Sequence, residues 1–508
     1  MKINKFFKQQ RNVFIIFFLL VSSLFAQQNW DTQIDAKLLS VIQHHKEFVS
    51  IPNLPENVQD MYKNIAWVKN KYEKVGFTFK TLASSTLPVL FAERVLDPSL
   101  KTVLFYFHID GQAVNPDAWN QEDPFVPVLK EQSKTGDWNT IPWDNLNQKI
   151  NDEWRIFARA AADDKAPIVM FLSALELLQK DNTKPNFNIK IIFDLEEEYD
   201  SNGFLSTLDK YKSIYASDYM IIMDGPAHNS NRPTLTFGCR GIATCSITTY
   251  GSKLPQHSGH YGNYVSNPVF NLSRLLASMK SDNGNVLIEG YYDGITISDE
   301  VKAILNAVPD DKELINQSLV IYNEESVGAN YQEALQFPTL NVRQIGTSWK
   351  GKGLKTVIPE YATADIDVRL VLETDGKVQL EKIKNHIKKQ GFLVLDRKPT
   401  DEERLSHKKI ITFTSNSGVN AFRTPLNSPF GEKLRKSLTT TFGKQPVSIR
   451  TMGGTVPIIP AINKLKIPAI IIPMVNMDNN QHSPNENIRI GNIRQGIKIC
   501  LSILNTTF

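Results

Sequence analysis

Four apolar runs of this 508-residue chain lead into potential metal ligands: LFYFHID at His108, KIIFDLEEE at Glu197 and Glu198, YMIIMD at Asp224, and AIIIPMVNMDNNQH at His482. Imidazole nitrogens and carboxylate oxygens together suit divalent cations such as zinc, manganese or cobalt. Open α/β sheets bind their ligands in the crevice at the carboxyl ends of the strands. Four runs that each deliver such a donor describe one buried metal site, and hydrolytic metal chemistry follows as the leading reading.

Taken singly, each donor has an ordinary explanation. His108 could be a hydrogen-bonded strand-end residue, but Asp110 stands two positions on, where its carboxylate could accept the other ring N–H and fix the imidazole. Asp163 and Asp164, in ARAAADDKAP, open a helical pattern and would suit an N-cap. One of them could cap while its neighbour bridges two metals. The triplet Glu196, Glu197 and Glu198 follows a buried strand, a costly place for like charges unless cations or protons compensate them. If Glu197 and Glu198 alternate direction at the strand exit, one can bind metal while the other holds a water's proton. Asp224 alone would be a turn residue before Gly225 and Pro226, and His482 a loop histidine.

The elements that must position these donors are legible as patterns. From Gln28 to about residue 240, β-type runs (TVLFYFH, FNIKIIFDL, YMIIMD) alternate with a helix over APIVMFLSALELLQK, the signature of crossover units on a mostly parallel sheet. From residue 241 to 422 the texture becomes α+β, with strands at CSITTYG and YATADIDVRLVL, helices at NPVFNLSRLLASM and VQLEKIKNHIKKQG, and long polar connections. From 423 to 508 a helix over SPFGEKLRKSLTTTFG and a buried strand at IPAIIIPM return to the first pattern. The expected architecture is an α/β catalytic domain in two parts, 28–240 and 423–508, interrupted by an α+β domain.

A hydrophobic fraction of 41% with 22% charged residues places the chain among folded globular proteins rather than disordered ones. Residues 1–26 carry Lys2, Lys5, Lys8 and Arg11 before the uncharged stretch VFIIFFLLVSSLFA, with Ala26 as a small residue at a cleavage point. This reads as a signal peptide for export, because the apolar stretch is shorter than the roughly 20 residues of a spanning helix. Without its basic residues the net charge of +4 disappears, so the charge gives no reason to expect a nucleic-acid partner. Cys239, Cys245 and Cys500 include no C-x-x-C pair and read as small buried thiols.

Eight motifs in order, HIDGQAV…PDAWNQEDPF, RIFARAAADDKAP, EEEYDSNG, MDG, HSGHYGN…NP, LKTVIPEYATADIDVRL, MGGTVP and HSPNE, resemble the dizinc metallopeptidases that include carnosinases, dipeptidases, carboxypeptidases and aminoacylases. The resemblance runs from about residue 40 to the C-terminus and is strongest toward carnosinase-like dipeptidases. It implies a phosphorylase/aminopeptidase-like catalytic domain with a lid or dimerisation domain, a small-peptide substrate, two divalent cations (zinc first, manganese or cobalt next) and a homodimer formed through the lid. It also implies site roles. Asp163 would bridge both metals, His108 and Asp224 would complete one site, and Glu198 and His482 the other. Glu197 would be the general base, and Asp110 is counted with it among the catalytic residues for orienting His108. His257, Thr356 and Arg369 would contact substrate from the lid.

Asp at position 224, MGGT and the DAW…DPF stretch resemble the dipeptidase side of the family, leaving a carboxypeptidase or N-acyl-amino-acid amidohydrolase as the alternative and a non-catalytic binding protein as the third reading. Three positions depart from the family pattern. ARAA replaces a glycine-rich approach to the bridging Asp, Met452 stands where carnosinases often place Glu, and Asp200 replaces a glycine.

Overall fold

A computed structural model describes residues 30–349 and 356–508. The expected signal peptide, residues 1–26, lies outside the described residues. No helix among the described residues is long and apolar enough to cross a membrane. The chain forms two compact units: one comprises the chain up to Leu235 with Pro425–Val447 and Lys464–Phe508, the other Thr236–Thr424 with Ser448–Asn463.

Unit one is built on an eight-stranded sheet whose centre is parallel. Asn188–Asp194, Thr102–His108, Tyr219–Ile222 and Ala469–Ile471 lie side by side in that order, all pointing the same way. These are the continuous apolar runs of the sequence, and burial on both faces explains why they lack polar alternation. Val89–Arg94 and Thr78–Leu82 extend one side antiparallel. The helices Lys165–Lys180 and Ile490–Leu504 pack closely, and Gly496 leaves no room for a side chain beside Met170.

A second, four-stranded sheet places Asn487–Arg489 antiparallel to Arg155–Phe157. That pairing joins the chain after HSPNE to the chain before ARAAADD, residues more than 300 positions apart.

Only His108 ends a strand directly. The strand before Glu197 stops at Asp194, that before Asp224 at Ile222, and that before His482 at Ile471. Glu197 and Glu198 begin a 3-10 turn, Glu197–Tyr199, so turn geometry separates the two carboxylates where strand alternation was expected.

Unit two carries a five-stranded sheet in the order Asn341–Thr347, Tyr361–Leu370, Gly241–Tyr250, Ile410–Val419, Leu393–Leu395. Ala243, Cys245 and Ile247 point inward from the alternating strand Gly241–Tyr250 and join Leu272, Leu275, Ile383 and Ile387 of two covering helices in one core. The polar connection also folds into helices at Asp299–Asn306 and Lys312–Leu319, each with a side-chain N-cap, Ser298 and Asp311. Ser448–Asn463, which the sequence pattern assigns to the catalytic part, groups with unit two, because Met452 exchanges backbone hydrogen bonds with Gly238 and Arg240. All three cysteines are buried and free, and burial pushes the Cys239 and Cys245 thiols up to about 12.

Candidate active site

The first ligand is fixed by its strand. Thr102–His108 is buried at every position after its first and is held between two parallel neighbours. The fully buried His108 therefore leaves the sheet in one orientation. Its Nδ1 lies 3.2 Å from the Asp110 backbone carbonyl and 3.4 Å from the Asp110 carboxylate. The carbonyl is the closer acceptor for the Nδ1 proton, and with Nδ1 so engaged, Nε2 is the nitrogen turned toward Asp163. Asp110 thus holds His108 chiefly through its backbone. Its carboxylate mainly accepts the N–H groups of Glu197 and Glu198, each at 3.0 Å, which anchors the turn bearing both glutamates.

Asp163 sits at the centre. Its Oδ1 is 2.9 Å from His108 Nε2 and its Oδ2 is 3.1 Å from His482 Nε2. His482 Nε2 in turn lies 3.1 Å from Glu198 Oε2. The donor atoms form two sets that share Asp163, His108–Asp163–Asp224 and Asp163–Glu198–His482, with the atoms of each set within 4.8 Å of one another.

The loop that carries Asp163 is tied down by Glu486. This fully buried carboxylate accepts the N–H groups of Ala160, Ala162 and Asp163 at 3.0, 2.9 and 3.0 Å, and pairs with Arg159 Nη1 at 2.7 Å. The Asp163–Asp164 peptide bond is cis. Asp164 makes no capping hydrogen bond to the helix Lys165–Lys180, contrary to the capping role its position suggested. It is fully buried, with Oδ2 facing the His108 N–H at 3.4 Å.

Electrostatically the cluster is a trap for positive charge. Burial, reinforced by Asp163 and Glu198, pushes the Asp224 carboxyl up to about 7, and burial with the neighbouring carboxylates raises Glu197 well above the usual range. Asp163 behaves oppositely. Burial alone would raise it, but hydrogen bonds from His108 and His482 hold it well below the usual carboxylate range. Hydrogen bonds to Asp163 and Glu198 raise His482 to about 10. Protons on the histidines thus do the neutralising work that cations would do. Two imidazoles and two carboxylates around one bridging carboxylate suit a pair of divalent ions.

The other sequence-selected residues lie in unit two. His257 is exposed, and its Nε2 is 3.3 Å from Thr356 Oγ1 across the two-stranded ribbon of Gln256–His257 and Val357–Ile358. Arg369 is partly buried, and its Nη1 donates to Thr455 Oγ1 at 2.8 Å.

Residues 104–506 match the family model described as peptidase family M20/M25/M40. The chain belongs to this family. It is accordingly a metallopeptidase. It is 28% identical over 422 residues to the Cys-Gly metallodipeptidase dug1 of Schizosaccharomyces pombe, covering 81% of each chain. It is 24% identical over 484 residues to the human Beta-Ala-His dipeptidase, covering 90% of this chain and 88% of the relative. Among solved structures it is similar to an M20 family metallo-carboxypeptidase from Sulfolobus solfataricus, with a TM-score of 0.71 and 25% identity over 91% of this chain and 98% of the other.

Within this M20 chain, two residues of the centre escaped the reading of the sequence. Gln112 donates from Nε2 to Glu198 Oε2 at 2.8 Å, and Glu486 organises the Asp163 loop. Gln112 follows the H-x-D motif within a few residues, a weak but usable signal. Glu486 gives none, because its partners are backbone amides that only the fold brings to it. The ARAA departure is accommodated directly: Ala160 adopts φ +60°, the left-handed conformation a glycine would take without strain.

Proposed function

We propose that this M20 enzyme is an exported dipeptidase that uses two divalent cations, zinc in the first place, to hydrolyse the amide bond of dipeptides or short peptides. The observation that carries the reading is the Asp163 carboxylate, with one oxygen toward His108 and the other toward His482. His108, Asp163 and Asp224 would hold one cation, and Asp163, Glu198 and His482 the other. When bound, the pair supplies Lewis acidity toward the scissile carbonyl and acidifies water.

The remaining chemistry belongs to the chain. Glu197, its carboxyl raised by burial, takes the proton of the attacking water and returns it to the departing amine. The Asp110 carboxylate keeps Glu197 and Glu198 in register through their backbone amides. His257, Thr356 and Arg369 serve substrate recognition, the Arg369 guanidinium suiting a peptide carboxylate. The dipeptidase choice is supported by the two curated dipeptidase relatives and by Asp at position 224. Export rests on the leader composition of residues 1–26. A homodimer through unit two is supported by the edge strand Asn341–Thr347, which exposes Val342 and Ile345, and by Phe270, exposed on the helix Pro268–Met279.

The test is hydrolysis of free dipeptides beside N-acetylated amino acids by chelated protein, before and after adding zinc or manganese. Metal-dependent cleavage of free dipeptides alone is expected. Cleavage of only the acylated substrates would move the enzyme to the amidohydrolase branch, and inactivity with every metal would refute catalysis.

A further inference from the structure

A cavity of about 790 Å3 lies wholly within unit two, walled by the helices Asp299–Asn306 and Lys312–Leu319 and the chain that follows them. It is a cleft partly open to solvent, and its volume falls in the range of small-molecule sites. None of the residues assigned to the metal centre lines it. Leu305, Val308 and Leu340 give it a buried apolar wall.

Two polar groups on the lining are incompletely used. Arg240 is only 6% exposed. Its Nε donates to the Leu335 carbonyl at 3.0 Å and its Nη2 to the carbonyls of Ala334 and Phe337 at 2.7 and 2.9 Å, leaving Nη1 outside these bonds. No carboxylate among the described residues forms an ion pair with it. Burial brings its pKa down to about 10, with the Tyr331 hydroxyl raising and Arg369 lowering it. Gln332 is 3% exposed. Its Nε2 donates to Asp310 at 2.8 Å, while its buried Oε1 has no hydrogen-bond partner among the described residues. The nearby lysines, by contrast, are paired: Lys280 with Glu325 at 2.9 Å, and Lys312 with Glu324.

A buried cation without a counter-ion and a buried acceptor without a donor are both costly. One ligand that brings an anion, an N–H donor and an apolar body would satisfy both groups and fill the wall. An α-amino acid with an apolar side chain carries all three. We propose that this cavity binds an apolar amino acid as its zwitterion, the carboxylate on Arg240 and the amino group on Gln332. The site shares no residue with the metal centre, and its failure would leave the dipeptidase reading untouched.

The experiment is calorimetric titration of the full chain with L-phenylalanine, once with zinc and once with chelator, beside N-acetylphenylalanine amide, which lacks both charges. Saturable binding is expected at one molecule per chain, equal with and without metal and at least tenfold tighter than the neutral analogue. Arg240→Met should weaken it at least tenfold. Because Arg240 also holds the carbonyls at the end of the helix Tyr331–Ala334, Ile315→Trp, which fills the cavity from a partly buried lining position, provides the second variant with the same expected loss. Absence of saturable binding, dependence on metal, equal binding of the neutral analogue, or wild-type affinity in Ile315→Trp would each overturn the proposal.

Discussion

The two halves of the metal centre are built differently. On one side the His108 side chain is 0% exposed and closes a buried central strand; on the other the His482 side chain is 52% exposed, on a loop at φ +60°. Glu198 likewise comes from a 3-10 turn rather than from the sheet. The sheet fixes His108 and, two residues past a neighbouring strand, Asp224, whereas a turn and a loop supply Glu198 and His482 and meet the first set only at Asp163. The first ion should therefore exchange slowly and the second readily, with Asp163 and its supports deciding whether both bind.

The most damaging change is to the support common to both halves. Glu486→Leu leaves Arg159 buried and unpaired and frees the amides of the Asp163 loop, and should cost about 3–5 kcal/mol in denaturant unfolding. Stability within about 0.5 kcal/mol of wild type would mean the loop holds itself.

A change confined to the loop-built half should separate the two ions. Gln112→Leu removes the donor to Glu198 Oε2 and should weaken one ion about 10–100-fold in chelator competition while leaving the other unchanged. Equal weakening of both would contradict the division.

Much of this was legible in the chain. The central strands declare themselves as unbroken apolar runs, and every proposed ligand is a residue the sequence singled out. What escaped is what depends on three-dimensional closure. His482 lies well beyond its strand and reaches Asp163 only because Asn487–Arg489 pairs with Arg155–Phe157. The return of Ser448–Asn463 to unit two rests on backbone pairing by Met452, to which its side-chain identity offers no clue.

Metal removal should make the comparison depend on pH. In the metal-free protein Asp224 titrates near 7, above an ordinary carboxyl at about 4, so the folded state binds the extra proton and loses stability as pH rises through that interval. His482, raised to about 10, contributes stability that is complete below about 6.5 and is lost as pH rises toward 10. Both shifts have the same sign. The rise in melting temperature on adding zinc should therefore be larger at pH 9 than at pH 6, and a rise that shrinks with pH would contradict this electrostatic account.

The smallest effect concerns the loop that carries Asp163. Ala160→Gly relieves a left-handed alanine, and should stabilise the protein by about 0.5–1 kcal/mol after glycine's own entropic cost. A loss of stability would show that the methyl group packs usefully there.

The central claim is that one carboxylate joins two ion sites, and counting bound metal by native mass spectrometry tests it most directly. The wild-type chain should carry two zinc ions and Asp163→Asn at most one, held weakly. A wild-type chain saturating at a single ion, or an Asp163→Asn chain that keeps two with undiminished affinity, would contradict it.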